Sequence, residues 1–374
     1  MKNRKNRKNI VIILASLLIF ALAVSLAYFT DYWSSEEYGA DADTLGFEVI
    51  KTKEEALTLM APGDARFFNY QVKNVKGLAM DVRATFEMED LSNVDSQTGG
   101  FSVYDAADVL GYNYDQGYTL REGAAPLVNS LDPDGAVPYD AGVIHGLNDK
   151  PNVFPEGLFF SAYLEGTSNN KAIELFNGYT EAINLADYEI QLFNNGHTSP
   201  DKYIRWASGE VGPGETYLIV HSSAEKALKD KADRELSNLL EFNGNDALLL
   251  LKNGKVADRF GIVGDDPGSA GWGGVTTDRT LVRKTSVLKG RVAPYTEFIP
   301  SDEWVIHGVN DYSVLKNHTV NMTDATWRCL DIDLVVVLEE DSGNEWQGAG
   351  MKLTTTIEGR QYRNATDPNG KGGW

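Results

Sequence analysis

"FFSAYLEGTSNNKAIELFNG", residues 159–178, holds the pattern on which the fold turns. Two β-prone apolar runs, FFSAYLEG (159–166) and AIELFN (172–177), stand on either side of a polar string. Further along, YEIQLFN (188–194) reads as another strand, and EVGPGETYLIVHSS (210–223) supplies a Gly-Pro-Gly turn followed by one more. LEFNGNDALLLLKNGKVADRFGIVG (240–264) reads as a hairpin with Asn253-Gly254 at its tip, a pair suited to the left-handed backbone of a tight hairpin turn. SSAEKALKDKADRELSNLL (222–240) is charged and predicts one short helix between strands.

The rest of the chain repeats this β-rich texture. Across 374 residues there are 36 glycines, 12 prolines and many aromatics (17 Tyr, 15 Phe, 7 Trp), which predicts an all-β protein with two or three domains. RFFNYQVKN (66–74) and LAMDVRATFEM (78–88) alternate with period 2, as does the stretch around Cys329, WRCLDIDLVVVLEE (327–340). The single cysteine rules out an intramolecular disulfide and reads as a buried, inert thiol on a strand. Formal charge is −20, and the first 27 residues carry five basic side chains and no acid. The remainder therefore holds about −25, a surface that repels phosphate backbones, so no nucleic-acid partner is expected.

MKNRKNRKN (1–9) precedes an apolar run of 18 residues, 10–27, ending in Ser25-Leu26-Ala27. A basic segment, an apolar run and small residues at the junction predict a signal peptide cut between Ala27 and Tyr28. An uncleaved anchor through residues 10–27 is the alternative, and it is the one membrane contact expected. In both cases the basic flank keeps the N-terminus inside and sends the remainder out to the extracellular side.

Three motifs carry a first resemblance. Ala27-Tyr28-Phe29-Thr30-Asp31 after the apolar run, the Ala61-Pro62-Gly63-Asp64 turn before a strand, and Gly343-Asn344-Glu345-Trp346-Gln347-Gly348 resemble the TasA/camelysin family of Gram-positive surface proteins with SipW-type signal peptides. The sequence departs from that family in having Trp346 for Tyr, and Gly359-Arg360-Gln361 for Ala-x-Gln. Residues 329–361 read as a closing hairpin around a Ser-Gly-Asn turn.

A second resemblance covers the middle of the chain. Glu165-Gly166-x-Ser168-Asn169-Asn170 running into Ala172–Asn177, Gly212-Pro213-Gly214-Glu215, Asn243-Gly244-Asn245-Asp246-Ala247 and Thr280–Lys284 resemble the bacterial lamin tail domain. That module closes with Glu303-Trp304 and Lys316-Asn317-His318-Thr319. The resemblance implies an immunoglobulin-like β-sandwich inserted in a TasA-like β-sandwich or jelly roll. The expected organisation is a leader (1–27), a first TasA-like part (28–157), the lamin tail domain (158–319), the closing hairpin (320–361) and a disordered tail (362–374). Within 91–157, FSVYDAADVLGYNY (101–114) and APLVNSL (125–131) read as strands of the surrounding sandwich. VIHGLND (143–149) and VIHGVND (305–311) flank the insert and read as coincidence or as two similar edge strands.

Chemistry-bearing patterns are sparse. His145, His197, His221, His307 and His318 form no H-E-x-x-H pair, and no G-x-S-x-G or P-loop occurs. His221 reads as a strand-end residue. The pairs Asp265-Asp266 and Asp331/Asp333 and the run Glu339-Glu340-Asp341 read as solvated acidic faces, Asp331 and Asp333 sharing one. Weak calcium binding at DDPGS (265–269) is the one cofactor considered, without an EF-hand pattern; no other cofactor, metal or catalytic residue is expected. Ser168-Asn169-Asn170 reads as shaping the first hairpin of the lamin-tail block, with a functional loop as the alternative.

These observations predict an exported, non-enzymatic structural or adhesive protein of a cell surface or biofilm matrix. Resemblance to the TasA family implies fibres made by donating an N-terminal strand, Tyr28 to about Glu48, to the next subunit or another matrix protein. Its anchors would be Tyr28, Phe29, Tyr32, Trp33, Leu45 and Phe47. The alternatives are a camelysin-like protease or an accessory module of extracellular nucleases, and a membrane-anchored binding module.

Overall fold

The computed structural model describes residues 30–34, 46–53, 60–76, 79–90, 94, 98–113, 117–144, 157–179, 181–237, 239–321, 329–343, 346 and 351–361. The leader, the Ala27–Tyr28 junction, Phe29, Leu45, His145 and the 362–374 tail lie outside the described residues.

The first strands are β1 (Thr30–Ser34), β2 (Phe47–Lys53), β3 (Ala65–Asn74), β4 (Met80–Asp90) and β5 (Phe101–Asp105). They are followed by β6 (Val109–Asn113), β7 (Gly117–Leu120), β8 (Val128–Asn129) and β9 (Tyr139–Ile144). The middle of the chain supplies β10 (Leu158–Glu165), β11 (Lys171–Asn177), β12 (Ile183–Asn184), β13 (Tyr188–Phe193), β14 (Lys202–Arg205), β15 (Glu210–Val211) and β16 (Thr216–His221). After helix α1 (Lys226–Lys229) come β17 (Arg234–Leu236), β18 (Ala247–Lys252), β19 (Lys255–Phe260) and β20 (Arg279–Arg283). Helix α2 (Pro300–Glu303) leads into β21 (Trp304–His307), and β22 (Cys329–Leu338) and β23 (Met351–Gln361) close the list. The protein is all-β in architecture.

Strands before residue 145 and after 328 pair with one another. They form a sheet in the order β1-β23-β4-β9 and a facing sheet in the order β2-β3-β22-β5-β8. Period-2 alternation aims every second side chain at the shared core: Phe68, Tyr70 and Val72 from β3, Val82, Ala84 and Phe86 from β4, Ile332, Leu334 and Val336 from β22. Each of these sheets keeps two open edges among the described strands.

The closing segment differs from the hairpin that its sequence predicts. β22 pairs with β3 and β5, whereas β23 pairs with β4 and β1 in the other sheet, so the two strands form no hairpin with each other. Both edges of β22 are already occupied. Trp346, between β22 and β23 in the chain, is an internal anchor: it is 2% exposed and edge-on to Phe101, and its Nε1 donates to Thr98 O at 3.1 Å. β3 and β4 likewise belong to opposite sheets, joined through an Asn74 side chain that accepts from Lys76 N.

The outer face of the β22 sheet is buried as well. Phe67, Tyr104, Val335 and Val337 are covered by the β6–β7 hairpin and by Val292 and Ala293 of the inserted segment. Asp331 and Asp333 do share a face, but it is half-buried rather than solvated. Asn69 Nδ2 donates to Asp333 at 2.8 Å, Gln71 Nε2 to Asp331, and Lys289 from the insert pairs with Asp331. Burial raises the Asp333 pKa above the usual range.

Residues 158–307 build a second, immunoglobulin-like sandwich from a sheet ordered β17-β16-β11-β10-β20-β21 and one ordered β14-β13-β18-β19. Asn253 (φ 50°) and Gly254 (φ 84°) turn the β18–β19 hairpin. The helix expected over 222–240 shrinks to the four residues of α1, with Leu228 its one buried residue. The chain then re-enters the sheet as β17, which runs parallel to β16.

Candidate functional site

Three surfaces carry residues singled out by the sequence: the N-terminal edge, the seam between the sandwiches, and the loops of the insert. At the edge, β1 pairs antiparallel with β23 from Thr30↔Arg360 to Ser34↔Thr356, which places Tyr32 opposite Glu358 and Trp33 opposite Ile357. β23 is eleven residues long, and β1 spans five of them. Phe47 lies on β2, in the other sheet, and its ring packs over Gly359. A Cβ on Gly359 would stand 3.1 Å from Phe47 Cε1 and 3.3 Å from Met80 Sδ. The glycine that departs from the family's Ala-x-Gln is thus the seat of an aromatic ring that bridges the two sheets at their edge.

The seam is built on β19. Fully buried Arg259 donates from Nη1 to Leu110 O (2.7 Å), from Nη2 to Val109 O (2.5 Å) and from Nε to Val292 O (2.7 Å). It thereby ties β6 of the surrounding sandwich to the insert through backbone oxygens. Burial, reinforced by Arg291, pushes its pKa down to about 9. Lys255 reaches Asp105 at 2.7 Å. Leu110 packs on Phe193, Leu249 and Val263, and a Cβ on Gly111 would come within 2.7 Å of Val263, so the backbones meet closely here. Beside Arg259, Asp258 Oδ1 accepts from Arg283 Nη2 (3.2 Å) and Arg291 N (2.8 Å), while Oδ2 accepts from Phe160 N (2.8 Å). Arg283 also meets Glu303 at 2.8 Å and stacks on Trp304.

The insert's polar loops are cross-linked by side-chain hydrogen bonds. Asn170 Oδ1 accepts from Glu225 N (2.8 Å) and its Nδ2 donates to Glu225 Oε1 (3.0 Å), while Asn310 clasps Thr167 through both its amide oxygen and nitrogen. Ser168-Asn169-Asn170 therefore sits in a loop knot that locks Asn310 of the second heptad. Both heptads begin on edge strands, Val143-Ile144 on β9 and Val305 to His307 on β21. At DDPGS, Asp266 Oδ1 accepts from Asn245 Nδ2 and Gly268 N, both at 2.8 Å. Among the described residues no three His, Cys, Asp or Glu side chains are arranged to hold a metal ion.

The histidines fall into separate environments. His197 meets Asp201, and His307 meets Asp311 at the end of β21. His221 ends β16 and accepts from Ser223 N through Nδ1. His318 is buried edge-on between Phe159 and Phe176; burial, then the nearby Arg283 charge, lowers its pKa to about 4. Glu339 is not a solvated acid: it accepts from Tyr104 OH (2.9 Å) and Tyr118 OH (2.5 Å), fastening the β6–β7 hairpin to its sheet. Glu340 and Asp341 are exposed. Cys329 is partly buried rather than fully buried, at the first position of β22.

Comparison with known proteins bears on the insert. No curated protein matches the chain, so the TasA/camelysin resemblance rests on its sequence motifs. The match to a family ends at residue 264, while β20, β21 and His318 continue the same sandwich beyond it. Residues 155–264 match the family model of the Lamin Tail Domain, and the inserted sandwich therefore contains a Lamin Tail Domain segment.

Proposed function

We propose that the protein is an exported, non-enzymatic structural component of a cell surface or matrix, which self-associates by exchange of its N-terminal strand. One observation carries the reading. The β1 segment docks on an open sheet edge and covers five of the eleven residues of β23, leaving Met351–Thr355 without a strand partner on that side among the described residues. A neighbour's strand in the same register would reproduce every backbone hydrogen bond made by β1 and extend over the uncovered half. Exchange of an identical element between copies conserves its contacts, so it needs little driving force. The large negative charge keeps such a chain soluble until assembly. The Lamin Tail Domain segment, tied by Arg259 to the β6–β7 hairpin, would be carried as a fixed outward module.

Light scattering and electron microscopy on protein beginning at Tyr28 test this reading. Concentration-dependent polymers are expected, and deletion of residues 28–34 abolishes them. A monomer at every concentration and pH would refute it.

A further inference from the structure

The Lamin Tail Domain segment carries a recess lined by the core residues Ile183 and Tyr188 together with polar side chains. Tyr179, Glu181, Ile183, Asn184, Tyr188 and Lys252, with Asp187 on the rim, line a cavity of about 410 Å³. Its volume falls in the range of about 300–1,000 Å³ typical of small-ligand sites. The walls are fixed by the backbone. Asn177 Oδ1 accepts from Tyr179 N at 2.8 Å, Asn177 Nδ2 donates to Glu181 O at 2.9 Å, and Asn253 N donates to Asp187 O at 2.8 Å.

Lys252 is the unusual member. Its ammonium donates to Tyr179 OH (3.1 Å) and lies 5.0 Å and 5.9 Å from the Tyr179 and Tyr188 ring centres. It makes no ion pair among the described residues, although Glu181 and Asp187 share its recess. Aromatic faces and tyrosine oxygen, not a carboxylate, hold the cation in place.

The chemistry of this lining narrows the ligand. Two carboxylates against one ammonium leave the recess net negative, which repels anionic groups, while the Lys252 ammonium already fills the place beside the aromatic rings where an organic cation would sit. What remains is a neutral molecule rich in both donors and acceptors. The carboxylates accept hydroxyl hydrogens, the Lys252 ammonium donates to hydroxyl oxygens, and the Asn184 amide nitrogen is a further donor, its Oδ1 being taken by Ala186 N. The half-buried Tyr179 ring offers apolar contact to the C–H side of a sugar. We propose that this recess binds one neutral pyranose residue of a glycan chain.

Calorimetric titration of the full chain with chitotriose, cellotriose, maltotriose and tri-galacturonate tests the proposal. At least one neutral trisaccharide is expected to bind with a Kd on the order of 0.1–1 mM. Tyr179→Ala should weaken that binding by about tenfold, or 1.4 kcal/mol. Asp187→Asn, at an exposed position where folding is not at stake, should weaken it about threefold, whereas Tyr203→Ala on β14 leaves it unchanged. Three results would each overturn the proposal: no saturation by any neutral sugar at about 10 mM, parental affinity in both Tyr179→Ala and Asp187→Asn, or preference for tri-galacturonate.

Discussion

The two sandwiches reach the same architecture by opposite routes. The inserted one is laid down by a continuous run and pinned by buried ionisable groups, Asp258, Arg283, Glu174 and His318. The surrounding one is assembled from pieces on either side of the insert, around a core that is apolar from Met60 to Ile357 and closed by Trp346 and Phe47. Buried charge is weak evidence for stability, but once its partner is removed it is severely destabilising. The proposed exchange concerns only the host's edge strand β1, whose partner β23 lies in the surrounding sandwich, not in the insert.

The largest effect expected on this contrast is in the insert. Asp258→Ala leaves the fully buried Arg283 without its main counter-charge and frees Phe160 N and Arg291 N, and should cost about 4 kcal/mol in urea unfolding. A loss below about 1 kcal/mol would show that the pin is dispensable.

The second prediction concerns pH. Folded His318 has its pKa lowered to about 4, so between the ordinary value of about 6.5 and that point the unfolded chain binds the proton and the folded chain does not. Stability from neutral His318 is therefore complete above about pH 6.5, declines as pH falls, and stops declining below about 4. His318→Phe preserves the ring between Phe159 and Phe176 and removes this slope, a difference of up to about 3 kcal/mol between the two proteins at pH 4. Glu174, whose pKa burial raises, is present in both and cancels. Parallel stability curves for the two proteins would contradict the assignment.

A smaller effect belongs to the surrounding sandwich. Gly359→Ala forces the Phe47 ring to shift by a few tenths of an ångström and should cost about 1–2 kcal/mol, with most of that loss relieved in a Phe47→Leu background. An unchanged cost in the double mutant would remove Phe47 from its proposed seat.

The same contrast explains what was legible in the sequence. In the insert, β10 with β11 and β18 with β19 are neighbours both in the chain and in the sheet, so turn signals such as Asn253-Gly254 report the true partner. In the surrounding sandwich β22 and β23 show the same alternation and a good turn sequence, yet they enter different sheets. Alternation tells which face a residue takes, not which strand it joins. Glu339, Asp331 and Asp333 read as solvated because their polarity is written in the sequence while the hairpin and module that cover them are not. The recess was invisible for a related reason: Tyr179 and Lys252 meet across 73 positions and form no motif.

The exchange of β1 is the claim on which the functional reading depends, and its register offers a direct test. With Cys329→Ser removing the native thiol, Tyr32→Cys and Glu358→Cys place two thiols at directly opposed positions of β1 and β23. Oxidation of concentrated protein, followed by non-reducing electrophoresis, should give a ladder of disulfide-linked multimers, while dilute protein gives the internally bridged monomer. An internally bridged monomer at every concentration would contradict strand exchange.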